Sequence, residues 1–356
     1  MATAAKYPAL QILRAVAASF VILDHAGNNA VQGWTHADRL THIAWSLGDV
    51  GVIVFFGISG FIMTTTQFSS FGSSARSVDF FLRRLLRIVP IYVVATTFQY
   101  ANKHHLHGDY NWLNYAKSLL FIPYLDSDQQ YAPVLAQGWT LDYEMFFYLV
   151  FAVSLSMKRW HGLVLSMVPL TALALLQGSY LQNTVVTFYL NHILLYFVCG
   201  MLVGIIGHYH SLTTHRIAVP LALVVILMGL TSALHGILSE PLYIAWSMPV
   251  VFACVAICAY CRPRQPGRIQ QALERQGDAS YSTYLFHGFM LGALKVVSNH
   301  IPDRQYTFVA AFMLVSLVAC NATGYAAFRW IERPLTRFMN TRYRRTPPAR
   351  AVAAAT

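Results

Sequence analysis

Apolar stretches long enough to cross a lipid bilayer recur from one end of this chain to the other. A helix needs roughly 20 mainly apolar residues to span the hydrocarbon core. Ten stretches meet or approach that length: 9–27, 43–66, 86–101, 139–157, 161–178, 188–207, 217–235, 242–261, 280–298 and 306–329. The third is short and starts near Pro90. A further apolar piece, 112–124, is too short to span and reads as a surface or re-entrant helix. The expected fold is therefore all-α, a polytopic membrane protein with about ten transmembrane helices. Composition supports this, because only 11% of the 356 residues are charged and 56% are hydrophobic. A soluble domain carries about 25% charged residues, and a mean hydropathy of +0.47 has the wrong sign for one.

The formal net charge of +11 invites a nucleic-acid reading, but the placement of the basic residues gives another account. With the N-terminus cytoplasmic, 19 of the 25 basic residues fall in inner segments and four in outer loops. That asymmetry is the positive-inside pattern. It predicts both termini in the cytoplasm and accounts for the charge with no nucleic acid as partner.

Residues 1–340 are expected to form one transmembrane domain, and 341–356 a disordered basic cytoplasmic tail. The first apolar run lacks a small-residue cleavage site and is read as the first span. No internal repeat is obvious, which counts against inverted-repeat transporters. Cys258 and Cys261 form a lone CxxC without a second ligand pair, so small apolar packing is expected rather than zinc. The outer-loop histidines His104, His105 and His107 also lack further ligands, and no metal is expected.

Ionisable groups inside a span are costly, so each is a functional hypothesis by default. The first span carries Arg14, Asp24 and His25. Arg14 and His25 are 11 residues apart, which places them on one helix face about 16 Å apart. One face thus offers a cation near the inner end and an imidazole, the usual general base near neutral pH, near the outer end. The plainer alternative is that Arg14 snorkels to headgroups and His25 caps the helix. In the second span, GVIVFFGISGF carries Gly57, Ser59 and Gly60. Small residues let helices approach closely, or leave room for a ligand's slender arm. FLRRLLRIVPIY places Arg83, Arg84 and Arg87 at the inner surface, where arginine forks suit phosphate or simply fix topology. QGWTLDYEMFFY carries Trp139, Thr140, Asp142, Glu144 and Tyr148 at the outer entrance of the fourth span. Glu144 can orient His25, as carboxylates orient imidazoles elsewhere, or be a solvated loop-end group. His287 lies about two turns into the ninth span, where it is either a satisfied core histidine or part of a tunnel.

Taken in order, these segments resemble the acyltransferase-3 family of bacterial integral membrane O-acyltransferases, the stand-alone kind that acetylates polysaccharide or lipopolysaccharide. The resemblance rests on Arg14 and His25, ten residues between them, and on the run Gly51 to Phe61. It continues through the arginine segment ending at Tyr92, Trp139 to Tyr148, Ser280 to His287, and the closing Glu332, Arg333 and Pro334. The resemblance implies acyl transfer from cytoplasmic acetyl-CoA, a donor substrate rather than a bound cofactor, to a glycan hydroxyl outside. It also implies a bacterial inner-membrane location.

On this reading Arg83, Arg84 and Arg87, with Arg14 deeper, hold the donor phosphates. The pantetheine arm threads past Ser59 and Gly60. His25 takes the acceptor's proton, and a carboxylate steadies the imidazolium. Asp24 sits about 100° around the helix from His25, which favours Glu144. Ser59, Thr140 or Tyr148 are candidates for the oxyanion, and Trp139 and His287 for the acceptor path or tunnel. Membrane lipids are the remaining expected partner. A secondary transporter and a non-enzymatic component of polysaccharide export are the alternatives from other classes.

Overall fold

The computed structural model describes residues 7–31, 38–107, 111–126, 129–178, 183–209, 218–261, 267–299 and 306–345. Those residues are almost wholly helical. In chain order the helices are α1 (Pro8–Val31), α2 (Asp38–Gln67), α3 (Ser74–His107), α4 (Trp112–Leu119), α5 (Trp139–Leu155), α6 (Arg159–Leu175) and α7 (Thr184–Tyr189). They continue as α8 (Leu194–Tyr209), α9 (Ala218–Leu234), α10 (Glu240–Tyr260), α11 (Arg268–Asp278), α12 (Ser280–Ser298), α13 (Tyr306–Ala327) and α14 (Arg333–Arg345). No strand is found among the described residues; one isolated bridge pairs Leu125 with Tyr131.

Among the described residues, four helices are long and apolar enough to cross a membrane by themselves: Pro8–Val31, Ser46–Gln67, Glu240–Tyr260 and Thr307–Tyr343. Arg159–Leu175, Leu194–Tyr209 and Pro220–Leu234 are shorter apolar helices. The chain is a polytopic helical membrane protein.

Three elements differ from the sequence expectation. The third span is part of a 34-residue helix that runs through Pro90, so Arg83, Arg84 and Arg87 share one rod with it. A proline removes one N–H from the helical ladder, a loss that membrane helices tolerate where neighbours resatisfy the freed carbonyl. The stretch 188–207 is broken. Helix α7 starts on Asn183, whose side chain accepts from the Val185 and Val186 N–H groups, and ends at Leu190. Helix α8 then starts afresh at Leu194. Helix α14 runs to Arg345, beyond the point where the sequence suggests a disordered tail; the rest of that tail lies outside the described residues.

The helices fall into two compact units, one from Met1–Thr66 and Leu195–Ala327, the other from Gln67–Leu194 and Phe328–Thr356. In the first, α1 is the central rod, packed against α10, α11, α12 and α13. Its alanines Ala9, Ala15, Ala17, Ala18, Ala26 and Ala30 are all buried. Small side chains let neighbouring backbones close in. A Cβ on Gly51 would stand 2.5 Å from the Ala17 carbonyl oxygen, and one on Gly277 would stand 1.8 Å from that of Gln11. In the second unit, α3 packs against α4, α5 and α14, and α5 against α6. An aromatic layer of Phe80, Tyr148, Phe147 and Phe151 fills the space between α3 and α5.

Candidate active site

The outer end of α1 carries two consecutive polar residues among apolar ones. His25 Nδ1 lies 2.7 Å from Asp24 Oδ2. Consecutive Cβ atoms on a helix diverge by ~100°, yet both side chains are long enough to lean together. On a helical wheel that angle favours Glu144 as the partner; in the structure Asp24 occupies Nδ1. A carboxylate only accepts, so Nδ1 carries the hydrogen and Nε2 keeps its lone pair. The Asp24 side chain is 8% exposed and the His25 side chain 47% exposed. The carboxylate is thus held inside while the imidazole faces open space. A half-exposed imidazole in an apolar span faces water or a ligand rather than lipid.

Gly48 on α2 packs directly against the Asp24 carboxylate: a Cβ on Gly48 would fall 2.7 Å from Asp24 Oδ2. Only glycine leaves the room that this carboxylate fills.

His287, on α12, is buried. Its ring centroid is 5.1 Å from that of His25, tilted by 46°. Its Nδ1 donates to the Tyr284 carbonyl at 2.6 Å, which leaves Nε2 as an acceptor. That Nε2 is buried and has no partner. Two imidazoles therefore stand together, one paired with a carboxylate and one holding a spare lone pair. Arg14 lies on α1, half-buried, with its Nη1 3.5 Å from Gln11 Oε1. Ser59 is half-buried on α2.

The glycine surface that the sequence offered to a pantetheine arm is already filled. A Cβ on Gly60 would lie 2.1 Å from the Phe197 carbonyl oxygen, and one on Gly200 would lie 1.9 Å from that of Gly57. Helices α2 and α8 cross there backbone to backbone, so Gly57 and Gly60 serve helix packing.

The other expected residues lie in the second unit. Glu144 accepts a short hydrogen bond from the Tyr148 hydroxyl and is an electrostatic neighbour of Arg84. The Arg84 guanidinium rests over the Phe80 and Tyr148 rings, 5.7 and 5.8 Å from their centroids. This is a cation–π stack closed by a carboxylate. Arg83 Nε is 2.8 Å from Asp79 Oδ2, and Asp79 Oδ1 accepts from the Tyr343 hydroxyl of α14 at 3.1 Å. Arg87 is half-buried. Thr140 is buried at the first turn of α5, bonded to the Gln137 carbonyl at 3.1 Å, and Trp139 meets the Tyr143 ring edge-on.

Sequence reasoning passed over Asp49, His235 and Tyr243 in the first unit and, as a site residue, Asp142 in the second. Asp49 lies inside an apolar stretch, and the cost of a carboxylate there is the signal that would have found it. Among the described residues no three His, Cys, Asp or Glu side chains are placed to hold a metal ion.

Residues 7–325 match the family model described as an acyltransferase domain, acyltransferase-3. The chain belongs to the acyltransferase-3 family. It is a multi-pass membrane acyltransferase. It is also similar to "Exopolysaccharide production protein ExoZ" of Rhizobium meliloti (strain 1021), with 33% identity over 309 residues that cover 85% of this chain and 94% of the relative. No solved structure matches the chain significantly. The family match spans Arg14, His25, the arginines of α3, Glu144 and His287, so every motif on which the resemblance was built except the closing Glu332–Pro334 lies within it.

Proposed function

We propose that this acyltransferase moves an acetyl group from cytoplasmic acetyl-CoA to a hydroxyl of an extracytoplasmic glycan, with His25 as general base. The observation that carries this reading is the Asp24–His25 bond of 2.7 Å beneath a half-exposed imidazole. A buried carboxylate on Nδ1 fixes the tautomer and steadies the imidazolium, as in hydrolase triads. His25 Nε2 would take the proton of the acceptor hydroxyl as its oxygen attacks the thioester carbonyl. The C–S bond then breaks, and the imidazolium returns the proton to the leaving thiolate. The free lone pair of His287 Nε2 is suited to accept a hydrogen bond from the incoming hydroxyl.

The donor phosphates are assigned to arginine on the cytoplasmic side. Arg87 leads on α3, since Arg83 is engaged with Asp79 and Arg84 is stacked on two rings. Arg14 stands about 16 Å below His25 along α1, a rise comparable to a pantetheine arm. The similarity to an exopolysaccharide production protein supports an exopolysaccharide or related glycoconjugate as acceptor. Ten spans and both termini in the cytoplasm, supported by the 19-to-4 split of basic residues, and a bacterial inner membrane, implied by the family resemblance, complete the proposal.

The test is CoA release from acetyl-CoA by purified protein in lipid, with a glycan panel and a His25→Ala variant. Acceptor-dependent release that disappears in the variant is expected. No release with any acceptor, together with no binding of acetyl-CoA, would overturn acetyl-CoA as the donor.

A further inference from the structure

Beside the Asp24–His25 pair lies a second polar group that acyl transfer itself does not use. Asp49 follows Gly48 on α2, and its Oδ2 lies 3.3 Å from His235 Nε2. His235 stands in the turn after α9, its N–H bonded to the Thr231 and Ser232 carbonyls. The same ends of α2 and α9 are tied by the Ser46–Ser232 hydroxyl pair at 2.7 Å. Tyr243, on α10, meets the His235 ring edge-on with centroids 4.7 Å apart. Asp49 is within electrostatic reach of Asp24 and His25, and Tyr243 of Asp49.

Two features mark a binding place rather than a structural ion pair. The Asp49 and His235 side chains are 54% and 39% exposed. In an apolar helix such a carboxylate must face water or a polar ligand. Beneath them the Tyr243 hydroxyl is buried with no hydrogen-bond partner, in a residue only 6% exposed, and Asp24 Oδ1 is orphaned as well. Buried polar atoms are nearly always satisfied, so orphans beside an open carboxylate await a partner. By the topology proposed above, Asp49, His235 and Tyr243 all lie at the outer ends of their spans, the side from which a glycan arrives.

We propose that Asp49 and His235, with the Tyr243 hydroxyl beneath them, hold the acceptor sugar beside His25, and that this subsite takes an uncharged, hydroxyl-rich pyranose rather than an acidic one. The inference rests on the acyl-transfer reading. One Asp49 oxygen faces His235 Nε2 at 3.3 Å, and the other accepts sugar hydroxyls; hydrogen bonds to a charged acceptor are the strong kind. The Tyr243 hydroxyl both donates and accepts. A uronate would set its own charge against Asp49, with Asp24 close by, and be repelled.

The test is equilibrium binding of neutral gluco-, galacto- and manno-oligosaccharides, and of matched glucuronate-containing ones, to the full chain in lipid nanodiscs. The variants are Asp49→Asn, His235→Gln and Tyr243→Phe, and acetyl-CoA binding serves as the folding control. Wild type should prefer at least one neutral oligosaccharide over its glucuronate counterpart. Each variant should bind that sugar about tenfold more weakly, and Asp49→Asn should narrow the preference. Tyr243→Phe removes only an unpartnered hydroxyl, so a loss there cannot come from misfolding. Unchanged sugar affinity in all three variants, or no neutral sugar bound by wild type, would overturn the subsite. Sugar binding that obeys these rules without acceptor-dependent CoA release would keep the subsite and overturn the proposed transfer from acetyl-CoA instead.

Discussion

His25 Nδ1 and Asp24 Oδ2 lie 2.7 Å apart although their residues are consecutive on one helix. The pair leaves Nε2 as the only basic position on the imidazole. His25→Ala should therefore lower transfer by about 10²- to 10⁴-fold, the usual worth of a positioned base. Asp24→Asn should cost nearly as much, because an amide can present a donor to Nδ1 and favour the wrong tautomer. Glu144→Gln should cost much less in kcat, since Glu144 is bonded to Tyr148. Initial rates of acceptor-dependent CoA release rank the three. A Glu144→Gln defect larger than that of Asp24→Asn would reassign the partner.

Gly48 and Gly60 lie on the same helix and should fail differently. An alanine in mid-helix is ordinarily about 0.5–1 kcal/mol better than glycine. At Gly48 the new Cβ would meet the Asp24 carboxylate, a side chain that can swing away. Gly48→Ala should accumulate as folded protein and lose activity about as Asp24→Asn does. At Gly60 the obstacle is the Phe197 backbone carbonyl, which cannot yield without parting two helices. Gly60→Ala should lose about 1–3 kcal/mol by overpacking. Thermal unfolding and turnover, measured on both variants, separate a lost dyad from a lost crossing.

The arginines of α3 should also divide. Arg83 is paired with Asp79, more than a third exposed on both sides, and exposed pairs are worth about 0–1 kcal/mol. Arg83→Ala should change stability and the KM for acetyl-CoA only slightly. Arg87, which no carboxylate pairs with among the described residues, is the better phosphate ligand. Arg87→Ala should raise the donor KM about tenfold or more with a smaller change in kcat, as loss of a charged hydrogen bond does. Steady-state kinetics in acetyl-CoA at saturating acceptor checks this.

The helices were legible because the membrane imposes length and apolarity on each span. The stretches 139–157, 161–178, 242–261 and 280–298 lie within three residues of α5, α6, α10 and α12 at either end. The break between α7 and α8 was hidden because Leu190 and Ile193 are as apolar as their neighbours, while Asn183 and Asn191 bind local N–H groups. In the site, spacing alone joined Arg14 to His25 on one face. It could not give the Asp24 contact, since a helical wheel places Cβ atoms and not the ends of side chains. The Asp79–Tyr343 bond joins residues 264 apart, beyond any local pattern. His235 and Asp49 are likewise distant in sequence, and only the fold brings them together.

Asp142 stands in the first turn of α5, 3% exposed. Its Oδ1 is buried without a partner. Around it Ile122, Pro123, Tyr124, Tyr131, Pro133 and Phe188 line a small recess. An acidic group near a helix N-terminus gains from the macrodipole by about 0.3–1 kcal/mol. An unsatisfied buried polar group costs about 1–3 kcal/mol, and more when charged, so the cost wins. Asp142→Asn should then stabilise the second unit by about 1 kcal/mol or more, read as a raised Tm for protein in lipid without substrate. If Asp142 instead carries a proton and donates it to a neighbour, the amide would misplace that donor and Tm would fall. A raised Tm with intact turnover would make Asp142 a structural burden; a raised Tm with lost turnover would mark a carboxylate kept unpaired for a ligand, because stability given up at one residue is then recovered as function.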